Sequence, residues 1–534
     1  MRHVDAVCAR LVWYSQRYAS VMGTLKADLE ATGLELIETH ISWVFLGDAE
    51  VFKIKRPVNL GFLDFTTVEQ RRDACEAEVR LNARLALDVY LGVVPITRNA
   101  SGVHCLSGEG KVVDWAVHMR RLPDDERADL LLQAEKLRPD DVDRLAVHIA
   151  GFHARARCDA ETSRHGEVEV VRRNVRENFE QTGESIQDYL SVEETREVEA
   201  WQTATLADGA RFAARVSAGR VRDGHGDLRL EHVYFGRDDS IAIIDCIEFN
   251  DRFRYADVCA DIAFLSMDLA WHGRVDLAER LLSRYARESD DYDLYSVVNF
   301  YESYRAFVRG KVSSLLAADE EASMKARERA RREARRYFML SLAFERPPLV
   351  SPRVIAVGGM IASGKSTAAN AIGNLLAAPV ISSDRTRKHL MGKTPTEPMG
   401  SEAWSDAYSE RSTDRVYAEL LRLADVVVDS GRPVVVDASF RTRTIRRAIR
   451  EVATQRGVPF SFVECVSPRE VCLARLRKRE SGGAHESDAR SDLFNQFVQN
   501  YEPVVELPAA EHERFDTSRP RPENQERIKD LFAP

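Results

Sequence analysis

The stretch Gly358–Ser366, GGMIASGKS, constrains this chain more than any other part of its 534 residues. It holds G-x-x-x-x-G-K-S from Gly359 to Ser366. An apolar run, Val354–Val357, precedes it, and a small-residue helical stretch opens at Thr367. Strand, glycine loop and helix in that order are the setting in which this pattern cradles phosphate. The glycines let the backbone curl so that its N–H groups face an anion, and the helix N-terminus adds partial positive charge. The spacing assigns nucleotide contact to Gly359, Ala362, Ser363, Gly364, Lys365, Ser366 and Thr367. Lys365 reaches the β- and γ-phosphates and Ser366 ligates Mg²⁺. An ordinary glycine turn before a helix is the plainer alternative, and the complete signature in context outweighs it. The expected cofactors are ATP and Mg²⁺.

The rest of the back half alternates strand and helix. Apolar strands are expected at 353–357, 379–382, 433–437 and 460–466, which predicts an α/β domain with a parallel sheet and helices on both faces. Ligands of such sheets bind at the carboxyl ends of the strands. Two acids stand there, Asp384 after the second strand and Asp437 at the end of the third. Asp384 can take the proton of an acceptor hydroxyl, Arg387 can grip the acceptor, and Asp437 can hold Mg²⁺ or order the loop. Either acid alone also suits a helix N-cap. The basic stretch 472–479 followed by a glycine-containing loop at 480–485 reads as a lid, with Arg475 and Arg479 closing on the transferring phosphoryl group. Its plain alternative is a solvated helix face. The same face reading is preferred for Arg441, Arg443, Arg446, Arg447 and Arg450.

The length implies two to four domains. A charged helical run beginning at Met324 ends before three prolines at 347–352, so the boundaries expected are 1–345, a linker at 346–352, and 353–534. Net charge is −9; residues from 352 onward hold 27 basic and 25 acidic side chains, leaving −11 in front. That balance disfavours nonspecific nucleic-acid binding by the front half. No apolar run reaches the 18 residues of a membrane span. Eight scattered cysteines without a C-x-x-C pair indicate neither zinc nor a disulfide framework, so a cytoplasmic setting is expected.

The front half reads as α+β. Strands are expected at 51–55 and 112–119 and helices at 69–87, 140–157, 255–270 and 292–316. His225–Leu228, HGDL, is followed eighteen residues after Asp227 by Asp245 at the end of an apolar strand. A loop acid and a strand-end acid can divide the work of deprotonating an acceptor and binding Mg²⁺. Lys53 or Lys55 can pair with phosphates, and Glu76 or Glu78 can steady that lysine; spacing alone leaves both choices open.

Two resemblances follow from these residues. GGMIASGKS, Ser383-Asp384-x-x-Arg387, VVVDASF and the arginine-bearing lid resemble the P-loop small kinases, a group that includes gluconate kinases, zeta-type toxins and polynucleotide 5′-kinases. This implies ATP-dependent transfer to a hydroxyl, with the acceptor-side base and arginine on Asp384 and Arg387. In front, HGDLRLEHVYF, IIDCIEF, the VFKIK strand and Phe152-His153 resemble the aminoglycoside phosphotransferase-like branch of the protein-kinase-like fold. That resemblance implies a catalytic base at Asp227, the principal Mg²⁺ ligand at Asp245, a phosphate lysine at Lys53 or Lys55, and an adenine-side hinge made by strand 112–119 and its exit at 120–123. The family pattern has Asn as a metal ligand where this chain has His232, and only Gly47 precedes Lys53 where a glycine-rich loop is the pattern. Imidazole is a poorer partner than an amide oxygen for a hard cation. The domain order resembles the bifunctional aminoglycoside phosphotransferase-like and ATP-binding proteins of bacteria.

The expected activity is a kinase moving the γ-phosphoryl group of ATP to a hydroxyl of a small polar metabolite, a sugar or sugar acid. Rival readings are a polynucleotide 5′-hydroxyl kinase, a front half that senses ligand and regulates the back half, and a nucleotide switch without transfer.

Overall fold

The computed structural model describes residues 24–39, 41–59, 63–319, 323–343, 350–397, 409–480 and 494–532. Most of the expected linker, 346–349, and the lid loop 481–485 lie outside these residues. The chain divides into two compact units.

The first unit gathers residues up to 137, 156–165 and 221–256. Its frame is an antiparallel sheet of β1 (Glu35–Glu38), β2 (Ser42–Leu46), β3 (Glu50–Lys55), β4 (Tyr90–Arg98), β5 (His104–Leu106) and β6 (Lys111–Arg120), in the order β1-β2-β3-β6-β4-β5. Period-two alternation sorts β3: Phe52 and Ile54 pack with Trp43, Phe45 and Ile96, and Val51 joins Cys75, Val117 and Met119. Lys53 and Lys55 therefore share the face of Val51. Helix α1 (Val68–Asn82) covers that face. Thr67 starts it through a capping box with Gln70, a device that contributes roughly 1 kcal/mol. Its buried side carries Glu78, and also Arg71, which pairs with Asp114 at 2.9 Å. Beyond the sheet, β7 (Val221–Asp223) pairs with β10 (Tyr255–Asp257), and β8 (Val233–Phe235) forms a hairpin with β9 (Ile241–Ile243). The loop 224–232 and the segment after β9 hang from these short strands.

The second unit holds 138–155, 166–220 and everything from 257 onward. One part is helical: α2 (Pro139–Arg155), α3 (Val258–Trp271), α4 (Val275–Ser289), α5 (Val298–Ala318) and α6 (Met324–Leu342). Helix α3 is buried continuously from Val258 to Leu269, as a mostly apolar helix must be, with Asp261, Ser266 and Asp268 among the buried residues. The other part is a parallel sheet of β11 (Val354–Gly359), β12 (Val380–Ser382), β13 (Val434–Asp437), β14 (Phe460–Val466) and β15 (His512–Asp516), in the order β12-β13-β11-β14-β15. Its central strands are buried along their length, which is why they read as unbroken Val/Ile runs. Helices α7 (Lys365–Leu376) and α12 (Arg521–Phe532) cover one face with Ile372, Leu376, Ile528 and Phe532; α8 (Ser383–Leu390), α9 (Glu410–Asp429), α10 (Arg443–Arg456) and α11 (Arg469–Glu480) also belong to this part.

Compactness thus divides the chain differently from the expected boundary at 346–352. The reason is a set of contacts that tie α4, the turn after it and α5 to the parallel-sheet part. Tyr292 donates to the Val380 carbonyl at 2.6 Å. Arg432, nearly fully buried, donates to Glu279 at 2.6 Å and to Asn299 at 2.7 Å. Arg422 forks onto Asp293 at 2.7 and 2.9 Å. The arginine cluster past Asp437 also departs from a plain surface reading. Arg446 is fully buried, donating to the Phe440 carbonyl and paired with Glu506, whereas Arg450 pairs with Glu511 at the surface.

Candidate active sites

In the back half, β11 ends at Gly359, and the loop to α7 requires left-handed backbone at several positions. Gly359 has φ +134°, and a Cβ there would lie 2.4 Å from the Cys465 carbonyl oxygen. Gly364 caps α7 at φ +89° with Thr517 close by. Ala362 also sits at positive φ, 56°, a conformation that costs an L-residue roughly 1–2 kcal/mol. Arg475 and Thr517 hold the loop in this shape. Arg475 donates to the Ala362 carbonyl at 3.2 Å and to the Thr517 carbonyl at 2.8 Å, and Thr517 donates to the Ser363 carbonyl. Arg475, expected in the lid, is placed as a brace of the loop, and Arg479 lies half-buried one turn further along α11. The buried Ser363 hydroxyl has no hydrogen-bond partner among the described residues, so the concave loop presents a donor as well as backbone N–H groups. These are the marks of an anion cradle. Lys365 folds back to donate to the Met360 carbonyl at 2.8 Å.

Asp437 ends β13 in register with Val357 and Ser382. Its carboxylate, almost fully buried, accepts a hydrogen bond from Ser366. Burial pushes the carboxyl up to about 6; Lys365 and the Ser366 bond pull it down, and Asp384 pushes it up again. A buried acid beside the loop serine is the donor pair that suits a Mg²⁺ ion, directly or through water. Asp384 lies in the first turn of α8, half-buried, while Arg387 on the same helix is buried. Three strand ends therefore bring Lys365, Ser366, Asp437 and Asp384 to one edge of the sheet. Sequence reading missed Tyr417, whose hydroxyl lies 3.0 Å from Ser439 Oγ and accepts from the Phe440 N–H at 3.1 Å. Ser439 in turn accepts from the Gly359 N–H, so α9 reaches the loop through one tyrosine. Nothing in the spacing of residue 417 announces this.

In the front half, the structure settles which glutamate and which lysines meet. Glu78, fully buried, takes Lys53 on one oxygen at 2.9 Å and Lys55 on the other; Glu76 faces outward and pairs with Arg72. Lys53 also reaches Asp245 Oδ1 at 2.5 Å, and Lys55 pairs with Glu248. Burial pushes the Asp245 carboxyl up, but the Lys53 ammonium and His232 outweigh it and hold the group well below the usual carboxylate range. Asp245 itself adopts φ +65°, unusual for a non-glycine residue, and its N–H donates to the Tyr90 hydroxyl at 3.2 Å.

The loop 224–232 is tied down by its histidines. His225 lies 3.0 Å from the Ile244 carbonyl, and His232 Nδ1 lies 2.8 Å from the carbonyl of Asp227. Arg229, another residue without a sequence signal, forks onto both Asp227 oxygens at 3.0 and 3.1 Å. One ligand atom each from Asp227, His232 and Asp245 falls within 4.8 Å of the others. This trio is the candidate cation-binding group among the described residues of the front half. Phe152-His153 belongs elsewhere: His153 is buried between Tyr285 at 2.8 Å and Asp261 at 3.3 Å, a packing role. No helix of the described residues is long and apolar enough to cross a membrane.

A family described as an AAA domain matches residues 354–504. Among solved structures, the chain is similar to a gluconokinase from Sinorhizobium meliloti at 21% identity, covering 34% of this chain and 95% of that one, with a TM-score of 0.26. It is also similar to the APS kinase CysC of Mycobacterium tuberculosis, solved in complex with AMPPNP and APS, at 21% identity over 34% of this chain and 98% of that one, with a TM-score of 0.24. Over far more of its length, it is 32% identical to uncharacterized proteins of Mycobacterium tuberculosis and Mycobacterium bovis, across 464 residues that make up 86% of this chain and 88% of theirs. The chain belongs to the same family as these mycobacterial proteins, with an α/β phosphate-loop domain in its back half.

Proposed function

We propose that the back half transfers the γ-phosphoryl group of ATP to a hydroxyl of a small polar metabolite, a sugar or sugar acid. The observation that carries this reading is the convergence of the Gly359–Ser366 cradle, the Ser366–Asp437 pair and Asp384 at the carboxyl ends of adjacent parallel strands. In this reading Lys365 leaves the Met360 carbonyl to bind the β- and γ-phosphates. Asp384 accepts the proton of the acceptor hydroxyl as its oxygen bonds to the γ-phosphorus and the bond to the bridging oxygen breaks, releasing ADP. Arg387 orients the acceptor and Arg475 keeps the loop concave. Ser366 and Asp437 would hold Mg²⁺, which when bound neutralises phosphate charge.

For the front half we propose the corresponding roles: Asp227 as base, Asp245 as metal ligand and Lys53, the lysine in contact with Asp245, as the phosphate lysine. The fork of Arg229 on Asp227 favours a second reading, in which this half binds ligand and regulates the other without transferring phosphate.

The test is incubation of the purified chain with Mg²⁺ and γ-labelled ATP against pooled sugars, sugar acids, nucleosides, aminoglycosides and 5′-hydroxyl oligonucleotides. Wild type, Lys365→Ala and Asp227→Asn run side by side. Transfer to a sugar pool that is lost in Lys365→Ala and kept in Asp227→Asn supports the back-half reading and makes the front half regulatory. Transfer lost only in Asp227→Asn moves the chemistry to the front half. Label on the oligonucleotides replaces the small-metabolite acceptor.

A further inference from the structure

A concavity of about 390 Å³ opens between the helix Gly209–Ser217, the turn that follows α4, and helices α8, α9 and α10. No residue of the phosphate loop lines it. Its volume falls within the range of about 300–1,000 Å³ that takes a small organic ligand, but its walls are not the mostly apolar ones usual for such sites. Five arginines, six acids and His389 line this cleft.

The charges are matched to one another. Arg422 forks onto Asp293 at 2.7 and 2.9 Å and onto Glu419 at 2.9 and 2.7 Å. Arg456 forks onto Asp425 at 2.6 and 2.7 Å. Arg215 divides its guanidinium between Asp257 and Asp291. His389 Nδ1 lies 2.5 Å from Asp290 Oδ2, and that bond raises the imidazole above its ordinary pKa, against burial, and favours the cation. With His389 charged, the lining sums to zero.

This balance selects among ligands. A neutral site gives an ion no net attraction to offset the loss of its hydration. An apolar ligand would take water from the ion pairs and return no hydrogen bond. A hydroxyl both donates to a carboxylate and accepts from a guanidinium. The matched groups keep capacity for it, because each fork uses only part of the carboxylate lone pairs and of the guanidinium N–H groups, and such charge-assisted bonds are strong. Ala214, Ala218, Leu423 and Val426 add a small apolar surface on which a C–H face can pack.

We propose that this cleft binds a neutral polyhydroxylated molecule of sugar or polyol size, and that its occupant bears on α8. Thr386 and His389 of that helix line the cleft, and Asp384 stands in its first turn. The cleft is therefore an effector site for the helix that carries the acceptor-side acid. Only that last role rests on the phosphoryl-transfer reading; the binding does not.

The probes are D-glucose, D-sorbitol and myo-inositol, with D-gluconate and D-glucosamine as charged counterparts, each added to the full nucleotide-free chain. Titration calorimetry is expected to show a neutral probe bound about tenfold or more tighter than either charged counterpart. Ala214→Trp and Ala218→Phe, which fill the cleft from exposed positions, should each weaken that binding by about tenfold or more. Asp384→Asn should leave it unchanged, since Asp384 does not line the cleft. Amide hydrogen exchange of the wild-type chain should slow in α8 and in residues 290–296 when the probe binds, a readout independent of any variant's folding. The proposal is overturned if no neutral probe binds, if a charged counterpart binds as tightly, if both cleft variants bind as wild type does, if Asp384→Asn abolishes binding, or if exchange slows only outside these segments.

Discussion

Arg287 of α4 donates to Asn370 Oδ1 of α7 at 2.5 Å, so a helix encoded well ahead of the proline stretch touches the helix that carries the phosphate loop. The Arg287 guanidinium also contributes, less than Lys365, Ser366 and Asp384, to the field at Asp437, favouring its ionised form. Arg287→Ala should therefore move the acidic limb of the pH–rate profile to higher pH and lower kcat/KM about tenfold, the loss of one charge-assisted hydrogen bond. A purely structural arginine would lower the melting temperature and leave that limb in place.

Lys365 donates to the Met360 carbonyl at the rim of the back-half cradle, so its removal should spare the fold. Lys365→Ala should reduce turnover by on the order of 10²–10³, the scale for losing one preorganised charge on a transferring group. Calorimetric titration with a non-hydrolysable ATP analogue should show weakened binding, with thermal unfolding unchanged.

Asp437 sets a pH dependence with a definite sign. Burial raises its folded pKa to about 6, whereas an unfolded aspartate titrates near 3.9. The folded state thus holds the proton more tightly, and stability falls as pH rises from about 4 to 6, by on the order of 3 kcal/mol. Activity runs the other way: kcat/KM should rise through a one-proton limb centred near pH 6 as the free enzyme gains its carboxylate. Asp437→Asn should abolish turnover while raising the melting temperature at pH 7. A variant that was inactive and less stable would contradict this account.

Glu78, itself fully buried, is shared by two lysines. Glu78→Gln leaves both ammonium groups short of an anion and should cost about 3–5 kcal/mol in denaturant unfolding. Glu76→Gln, two residues earlier on the opposite face of the helix in the exposed pair with Arg72, should cost less than about 0.5 kcal/mol.

Much of the parallel-sheet part was readable because its central strands are buried on both sides, so Val354–Val357 and Val434–Val436 are apolar without a break. The edge strand His512–Asp516 escaped notice: HERFD is mostly polar and only Phe515 is buried. In front, the HGD loop and Asp245 were legible from their order, and His232 from its place after Asp227. Arg229 was not, because an arginine in a loop has no period and its partner is set by the turn. Arg287 and Tyr417 were hidden for another reason. Each acts across a distance in sequence that only the packing of separate helices closes. Arg475 shows the converse, a residue found by its charge whose bonds run to backbone carbonyls.

The arginine and tyrosine ties between α4–α5 and the parallel sheet bear on how such a chain can be reshuffled by recombination. A crossover at the proline stretch would separate Arg432 from Glu279 and Asn299, Arg422 from Asp293, and Tyr292 from Val380. A foreign catalytic module spliced in at residue 352 would meet unmatched charges unless it carried the same contact residues. Inheritance of the two halves as one gene is, on this ground, a packing requirement as much as a functional one.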